Sequence, residues 1–186
     1  MKKQWMGLIV AVVLAVAGGF YLLAEKPIVQ NQIQLIIANE AKGLDPRTQA
    51  EIARIVFDLS EEYEIDPMLL LAIIKVESHF RPTARSHRGA YGLMQIKQIV
   101  IQDIAKELGL TKHAEYSLTD HRFNLRAGAH YFSNLLKRFE GDTPKALLAY
   151  NAGPTRVAQI YGTGPVPHRG YQKKVLDVYK QLATFE

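Results

Sequence analysis

The sequence predicts a mainly α-helical domain that follows a hydrophobic N-terminal segment. Three observations support this fold class. Apolar residues recur at helical spacing through most of the chain after residue 47, and Asp and Pro mark several helix starts. Two-residue alternation, which is typical of strands, occurs only in short stretches. With 186 residues, 48% of them apolar, the chain is long enough to bury one core.

The N-terminal segment, residues 1–24, is predicted to be an export signal or a membrane anchor. Lys2 and Lys3 precede about twenty uncharged and mostly apolar residues, which as a helix would reach roughly 30 Å. The small residues around Val16 are compatible with a cleaved signal, whereas the apolar run beyond them favours a retained anchor. Either interpretation predicts export to the cell envelope, with the two lysines left in the cytoplasm.

Residues 25–47 are predicted to be a spacer, because their helical period is weak and ends at Gly43 and Asp45. The folded domain is predicted over 48–186. Its helices are predicted at 48–63, 67 to about 80, 99–108, 120–139, from 142 onward, at 154–161, and from about 170 to 185. The helix that begins at Pro67 is apolar on all sides from Met68 to Ile74, which is typical of a central helix wrapped by others.

Glu77 lies near the end of this central helix, on the same face as apolar neighbours. Partial burial there would favour the neutral carboxyl and raise its pKa, as a general acid requires. The alternative is a solvated acid at a fraying helix end. The glycine-containing loop that follows carries no Asp or Glu from Ser78 to Gln102, so Glu77 would be the one acid facing it.

Four segments, in order along the chain, resemble the motifs of soluble-type lytic transglycosylases, which have a goose-lysozyme-like catalytic domain. They are the glutamate-serine and Gly-Leu-Met-Gln motifs within 77–96, the helix segment 124–132, the Ala-Tyr-Asn-Ala-Gly segment within 146–154, and the tyrosine-bearing segment 169–176. The resemblance spans about residues 60–180 and implies a single lysozyme-like helical domain. The chain departs from the pattern at Lys97-Gln98, where a proline is usual, and at Pro167-His168, where a Glu-Thr pair is usual.

The resemblance implies cleavage of the β-1,4 bond between N-acetylmuramic acid and N-acetylglucosamine in peptidoglycan, without water. Glu77 would act first as acid and then as base, and the product would carry a 1,6-anhydro ring. The substrate's acetamido group would replace the second carboxylate of an ordinary glycosidase. The implied substrate-binding residues are Ser86, Met94, Gln95, Tyr150, Asn151 and Tyr171. On sequence alone, a turn serine, a core methionine, a helix end and packing tyrosines explain these positions equally well.

No cofactor or metal is expected. The chain has no cysteine, which excludes disulfides, thiolate zinc sites and cysteine nucleophiles, and His79 and His87 lack metal-ligand spacing. The net charge of +5 is spread along the chain and does not indicate nucleic acid. The expected partners are peptidoglycan strands and, through an uncleaved N-terminal helix, the membrane. Basic residues after Glu77 suit an anionic wall polymer.

Two other functions remain open at this point. A hydrolytic muramidase on the same fold would need a second carboxylate, for which Asp103, Glu115 and Asp120 are candidates. A non-catalytic wall-binding scaffold would gain nothing from a buried acid, because desolvating it costs free energy. The oligomeric state is not predicted.

Overall fold

The computed structural model describes residues 26–105, 107–109 and 118–185. Over these residues the chain is mainly α-helical, which confirms the predicted fold class. The elements are α1 (26–40), α2 (Pro46–Tyr63), α3 (Pro67–Ser78), β1 (Ala90–Tyr91), β2 (Ile96–Lys97), α4 (Gln98–Ile104), α5 (His121–Arg138), α6 (Thr143–Ala152), α7 (Pro154–Tyr161) and α8 (Tyr171–Ala183). The two short strands pair antiparallel, with Ala90 opposite Lys97.

Aspartate side chains begin four of the helices. Asp45, Asp66, Asp120 and Asp142 each accept a hydrogen bond from a backbone N–H two or three residues further on. The first N–H groups of a helix have no partner inside it, so these carboxylates satisfy them. This chemistry explains why the predicted helix starts lie within two residues of the observed ones.

Residues 26–40, predicted as a spacer, form a helix that packs into the core. Ile33, Ile36 and Ile37 are fully buried because their spacing places them on one face of α1. Segment 1–24 lies outside the described residues. In the described part of the chain, no helix is both long enough and apolar enough to span a bilayer.

Helices α1 and α3 run parallel. Near its start, α1 contributes Val29 to a small cavity shared with Pro67, the first residue of α3. At its other end, Glu40 accepts a hydrogen bond of 2.9 Å from Lys75, in the last turn of α3. Helix α3 is central, as predicted: every residue from Met68 to Ile74 is buried, and the helix packs against α2 and α8.

The loop between α3 and α4 is fixed by Asn124, whose side chain is completely buried in α5. Its Oδ1 accepts from the Met94 backbone N–H at 2.8 Å. Its Nδ2 donates to the Tyr91 carbonyl at 2.8 Å and to the Leu118 carbonyl at 2.9 Å. One amide therefore satisfies three backbone groups that the interior would otherwise leave unpaired.

Two glycines permit this packing. Gly92 has φ +77°, and a Cβ there would lie 2.4 Å from the Asn124 side chain. A Cβ at Gly128, on α5, would lie 2.4 Å from Met94 Sδ. Any larger residue at either position would force the loop away from α5.

We expect Gly92→Ala to destabilise the fold much more than Gly89→Ala. Both positions have positive φ, so each substitution costs about 1–2 kcal/mol of backbone strain. Gly89 has open space for a Cβ, whereas the clash at Gly92 adds roughly 1–3 kcal/mol. Urea unfolding of both variants gives the two free energies, and equal losses would contradict the proposed fit around Asn124.

Candidate active site

Glu77 lies in the last turn of α3, where the chain leaves the helix abruptly. His79 and Phe80, the two residues after Ser78, both adopt left-handed backbone conformations, with φ +52° and +56°. Such conformations cost roughly 1–2 kcal/mol each outside glycine. Phe80 is almost fully buried, so core packing holds this strained turn. The turn ends the helix within two residues of the carboxylate and leads into the basic loop.

The carboxyl of Glu77 is hydrogen-bonded to Tyr171. The Tyr171 hydroxyl donates to Glu77 Oε1 at 2.6 Å. Tyr171 is the first residue of α8 and follows Gly170, whose φ of +72° turns the chain into the helix. Because α8 packs along α3, it brings a residue 94 positions away onto the catalytic candidate. This is the contact that the resemblance implies for Tyr171.

Two opposing effects act on the pKa of Glu77. Burial disfavours the charged carboxylate and raises its pKa above the usual value of 4.5. The hydrogen bond from Tyr171 favours the carboxylate and lowers the pKa, but this effect is smaller than that of burial. The site therefore retains a proton on Glu77 to higher pH than water would. Burial and the nearby Glu77 carboxylate also raise the pKa of Tyr171 well above 10, so its hydroxyl remains a donor.

Tyr150 forms the neighbouring part of the site. Its hydroxyl donates to the Met94 carbonyl at 2.8 Å, and its ring contacts Tyr131 and Phe132 with centroids 5.5 and 6.0 Å away. Burial, followed by the Glu77 charge, raises the pKa of Tyr150 well above 10. Glu77, Tyr150 and Tyr171 are thus brought together from three helices. We call this group the carboxyl–tyrosine site.

The other predicted residues divide into supporting and accessible positions. Met94 has no exposed surface and packs against Gly128, so its side chain supports Tyr150 from beneath rather than lining a cleft. Gln95 donates to the carbonyls of Ala84 and Gly92 at 3.2 and 2.9 Å, which uses both of its amide hydrogens.

Ser86 and Asn151 differ in the same way. Ser86 Oγ accepts from the Ala90 N–H at 3.0 Å and closes a turn, as the simpler interpretation of a loop serine expects. Asn151 is exposed at the end of α6, beside Tyr150, with its side-chain amide accessible from solvent. Of the two, only Asn151 presents its polar group openly.

Sequence reasoning assigned no role to two further residues. Asn124 fixes the Met94 backbone, and Gln172 donates from Nε2 to the Pro167 carbonyl. Gln172 is almost completely buried and so ties the segment before α8 to the helix. This bond holds the chain at the position where the Glu-Thr pair of the family pattern is replaced. Periodicity gives no signal for either residue, because both are polar side chains with partners distant in sequence.

The candidate second carboxylates do not act on Glu77 in the described residues. Asp120 caps α5, and Asp103 lies close enough to Tyr131 to raise its pKa. Glu115 lies outside the described residues. Within the described ranges, burial and Tyr171 are the causes of the Glu77 shift, and no group of three His, Cys, Asp or Glu side chains could hold a metal ion.

A large cavity lies at the opposite end of α3. Its volume is about 580 Å³, and its lining includes Asp66, Leu69, Leu176 and Tyr179. Asp66 caps α3 and also accepts from the Tyr179 hydroxyl at 2.8 Å, so its carboxylate is occupied by structural bonds. The chemistry of a partly buried acid is found at Glu77 instead.

Comparison with known proteins agrees with this geometry. Residues 54–163 match the profile of the Transglycosylase SLT domain family, a range that includes Glu77 and Tyr150 and ends before Tyr171. The chain belongs to this family. The SLT domain match therefore covers more than half of the chain, from α2 to the end of α7.

Several curated relatives carry related names. The chain is 34% identical over 133 residues to the peptidoglycan transglycosylase gp16 of Escherichia phage T7, covering 63% of this chain and 10% of that protein. It is 32% and 31% identical to the membrane-bound lytic murein transglycosylases C of Photorhabdus laumondii and Salmonella typhi, over 70% and 76% of this chain. The chain spans 40% and 42% of those two proteins, less than half of their length.

A solved structure shares the fold. The lytic transglycosylase Slt of Pseudomonas aeruginosa, crystallised as an inactive mutant, superposes with a TM-score of 0.62 at 27% identity. The match covers 70% of this chain and 23% of that one. It supports the lysozyme-like SLT fold for the described helices.

We expect Tyr171→Phe to raise the pKa of Glu77. The substitution removes the hydrogen bond that favours the carboxylate and leaves the ring that excludes water. Carbon-13 NMR titration of the Glu77 carboxyl measures the shift. Tyr179→Phe is the matched control, because it removes a tyrosine–acid bond from the same helix at Asp66. A Glu77 titration that is unchanged by Tyr171→Phe would contradict the assigned contact.

The raised pKa of Glu77 also predicts how stability depends on pH. Between 4.5 and the native pKa, the unfolded chain has released this proton and the native chain has not. The native state therefore loses stability relative to the unfolded state as pH rises through that interval. Glu77→Gln does not titrate, so its stability relative to the parent should increase from about pH 4 to about pH 8. Urea unfolding across this range measures the difference, and a flat profile would refute the shift.

Proposed function

We propose that this chain carries the catalytic domain of an exported lytic transglycosylase that cleaves peptidoglycan between N-acetylmuramic acid and N-acetylglucosamine. The observation that carries the proposal is the carboxyl of Glu77, partly buried at the end of α3 and bonded to Tyr171. Membership of the SLT domain family supports the substrate class. The relatives named as lytic murein transglycosylases support the same reaction.

In the proposed reaction, Glu77 donates its proton to the glycosidic oxygen as the bond to muramic acid C1 breaks. The substrate's acetamido oxygen stabilises the positive charge that develops at C1. The C6 hydroxyl oxygen then bonds to C1, and the Glu77 carboxylate accepts its proton. No water is consumed, the product carries a 1,6-anhydro ring, and Glu77 ends in the protonated form in which it began.

The two effects on Glu77 suit these two stages. Burial favours the protonated acid that begins the reaction. After proton transfer, the hydrogen bond from Tyr171 stabilises the carboxylate that must act as a base. A site with burial alone would make the acid reluctant to donate, and one with the bond alone would leave too little acid near neutral pH.

We assign the remaining predicted residues according to their exposure. Asn151 is accessible and would bind the sugar's acetamido group, while Tyr150 would position the muramic acid. Gln95 and Ser86 would act through the shape of the loop, and Met94 through its support of Tyr150. The polymer itself would reach the site in the cell envelope, with segment 1–24 directing export or anchoring the chain.

We expect Glu77→Gln to reduce release of soluble fragments from purified sacculi by about a hundredfold or more, since general acid catalysis contributes 10²–10⁴-fold. The variant should remain folded, because glutamine preserves the side-chain shape and can accept from Tyr171. Mass spectrometry of the parent's products should show 1,6-anhydro ends. A variant that retains most activity would mean that the acid is misassigned.

The same digests separate the alternatives. A hydrolytic muramidase would give reducing ends, and a wall-binding scaffold would release nothing. Asp103→Asn, Glu115→Gln and Asp120→Asn remove the candidate second carboxylates, and asparagine at 120 keeps a side-chain oxygen for the α5 cap. We expect each of these variants to release anhydro products at close to the parental rate. Loss of activity in one of them, with reducing ends in the parent, would favour the hydrolase.

A further inference from the structure

The loop between α3 and α4 carries positive charge without compensation. Its basic residues are Arg81, Arg85, Arg88 and Lys97, which we call the cationic rim. All four residues are exposed, and the sequence has no Asp or Glu between residues 78 and 102. Cations and acids therefore do not alternate here, as they do on an ordinary solvated surface.

The ion pairs of the described residues lie elsewhere. The acids of α2, for example, pair with Lys26, Arg122 and Arg126. Over the ranges that the structure describes, none of the rim cations forms an ion pair with an acid of the chain. The rim is thus available to an anion that the protein itself does not supply.

Both ends of the loop are tied to the carboxyl–tyrosine site. The loop begins directly after α3, and the Tyr150 hydroxyl binds the Met94 carbonyl near its other end. Gln95 crosses from that end to Ala84 in the middle of the loop. The rim therefore keeps a fixed position beside Glu77 and does not swing freely.

Two of the rim guanidinium groups are themselves oriented. Arg81 Nε donates to the Ser78 carbonyl at 3.0 Å, which leaves its two terminal nitrogens for another acceptor. The Arg85 guanidinium lies over the Tyr91 ring, 5.0 Å from its centroid, with its edges open to solvent. Oriented guanidinium groups are suited to bidentate contact with carboxylates.

We propose that the cationic rim binds the carboxylates of the peptide stems on the glycan strand, beside the bond that Glu77 would cleave. The inference rests on the proposed function, because it places that polymer in the site. N-acetylated sugars are uncharged, so the strand's sugar backbone gives the arginines no partner. Ionised stem carboxylates, attached to the muramic acid residues, supply one at short range.

The test measures binding separately from cleavage. The full chain carrying Glu77→Gln is mixed with purified sacculi, and its dissociation constant is obtained by co-sedimentation. The same sacculi, after their carboxyl groups have been converted to amides, provide the substrate without stem charges. We expect amidation to weaken binding about tenfold, since each exposed ion pair contributes roughly 0.2–1 kcal/mol.

A rim variant and a matched control identify the residues. Arg81→Gln, Arg85→Gln and Arg88→Gln together should bind untreated sacculi as weakly as the amidated ones, with no further loss on amidation. Lys137→Gln, Arg138→Gln and Lys180→Gln remove the same charge from exposed positions on α5 and α8 and should bind like the parent. Circular dichroism confirms that both triple variants are folded.

Three outcomes would overturn the inference. They are binding that amidation leaves unchanged, a rim variant that still discriminates between the two sacculi, and a control triple that weakens as much as the rim triple. Binding of phosphatidylglycerol vesicles that depends on the rim, with no effect of amidation, would assign the rim to a lipid surface instead. The proposed function fails separately, if parental digests contain no anhydro ends, because the dissociation constants do not depend on cleavage.

Discussion

The carboxyl of Glu77 is held between two opposing influences, and the rest of the site depends on that balance. Helix α3 is buried along most of its length, so its last turn removes the carboxyl from much of the surrounding water. The Tyr171 hydroxyl is the polar partner that prevents this burial from leaving the acid wholly unsatisfied. Burial without a partner would be costly, and full solvation would give an ordinary surface acid. The chain obtains the intermediate condition from the packing of two helices.

The Met94 peptide unit plays a comparable part for the neighbouring wall. Its N–H is fixed by Asn124 and its carbonyl by Tyr150, so one residue connects α5, the loop and α6. Gly92 and Gly128 leave the room that this arrangement needs. The loop is thereby held by buried hydrogen bonds, which are few but expensive to break. Its backbone can then carry exposed arginines without losing its shape.

Local chemistry explains why most of the helices could be predicted from the sequence. Asp45, Asp66, Asp120 and Asp142 announce their helices through capping, and the apolar run after Pro67 indicates a central helix. The position of Glu77 follows from the same pattern. Its contact with Tyr171, in contrast, was expected from the family resemblance alone, because spacing along the chain contains no information about a partner 94 residues away.

The remaining differences have the same physical origin. The isoleucines of α1 gave too weak a period to distinguish a packed helix from a spacer, since three buried side chains suffice once a neighbouring helix covers them. Met94 was expected on the cleft wall, but Gly128 opens a space in α5 that its side chain fills. Asn124 and Gln172 serve backbone groups that come near them only in the folded chain.

The parallel course of α1 and α3 has a geometric consequence. Residue 26 lies beside the start of α3, whereas Glu77 lies near its end, about ten residues or roughly 15 Å further along the axis. Whatever precedes residue 26 therefore joins the body at the pole remote from the acid. A tether attached at that pole would leave the opposite pole free to meet a long polymer.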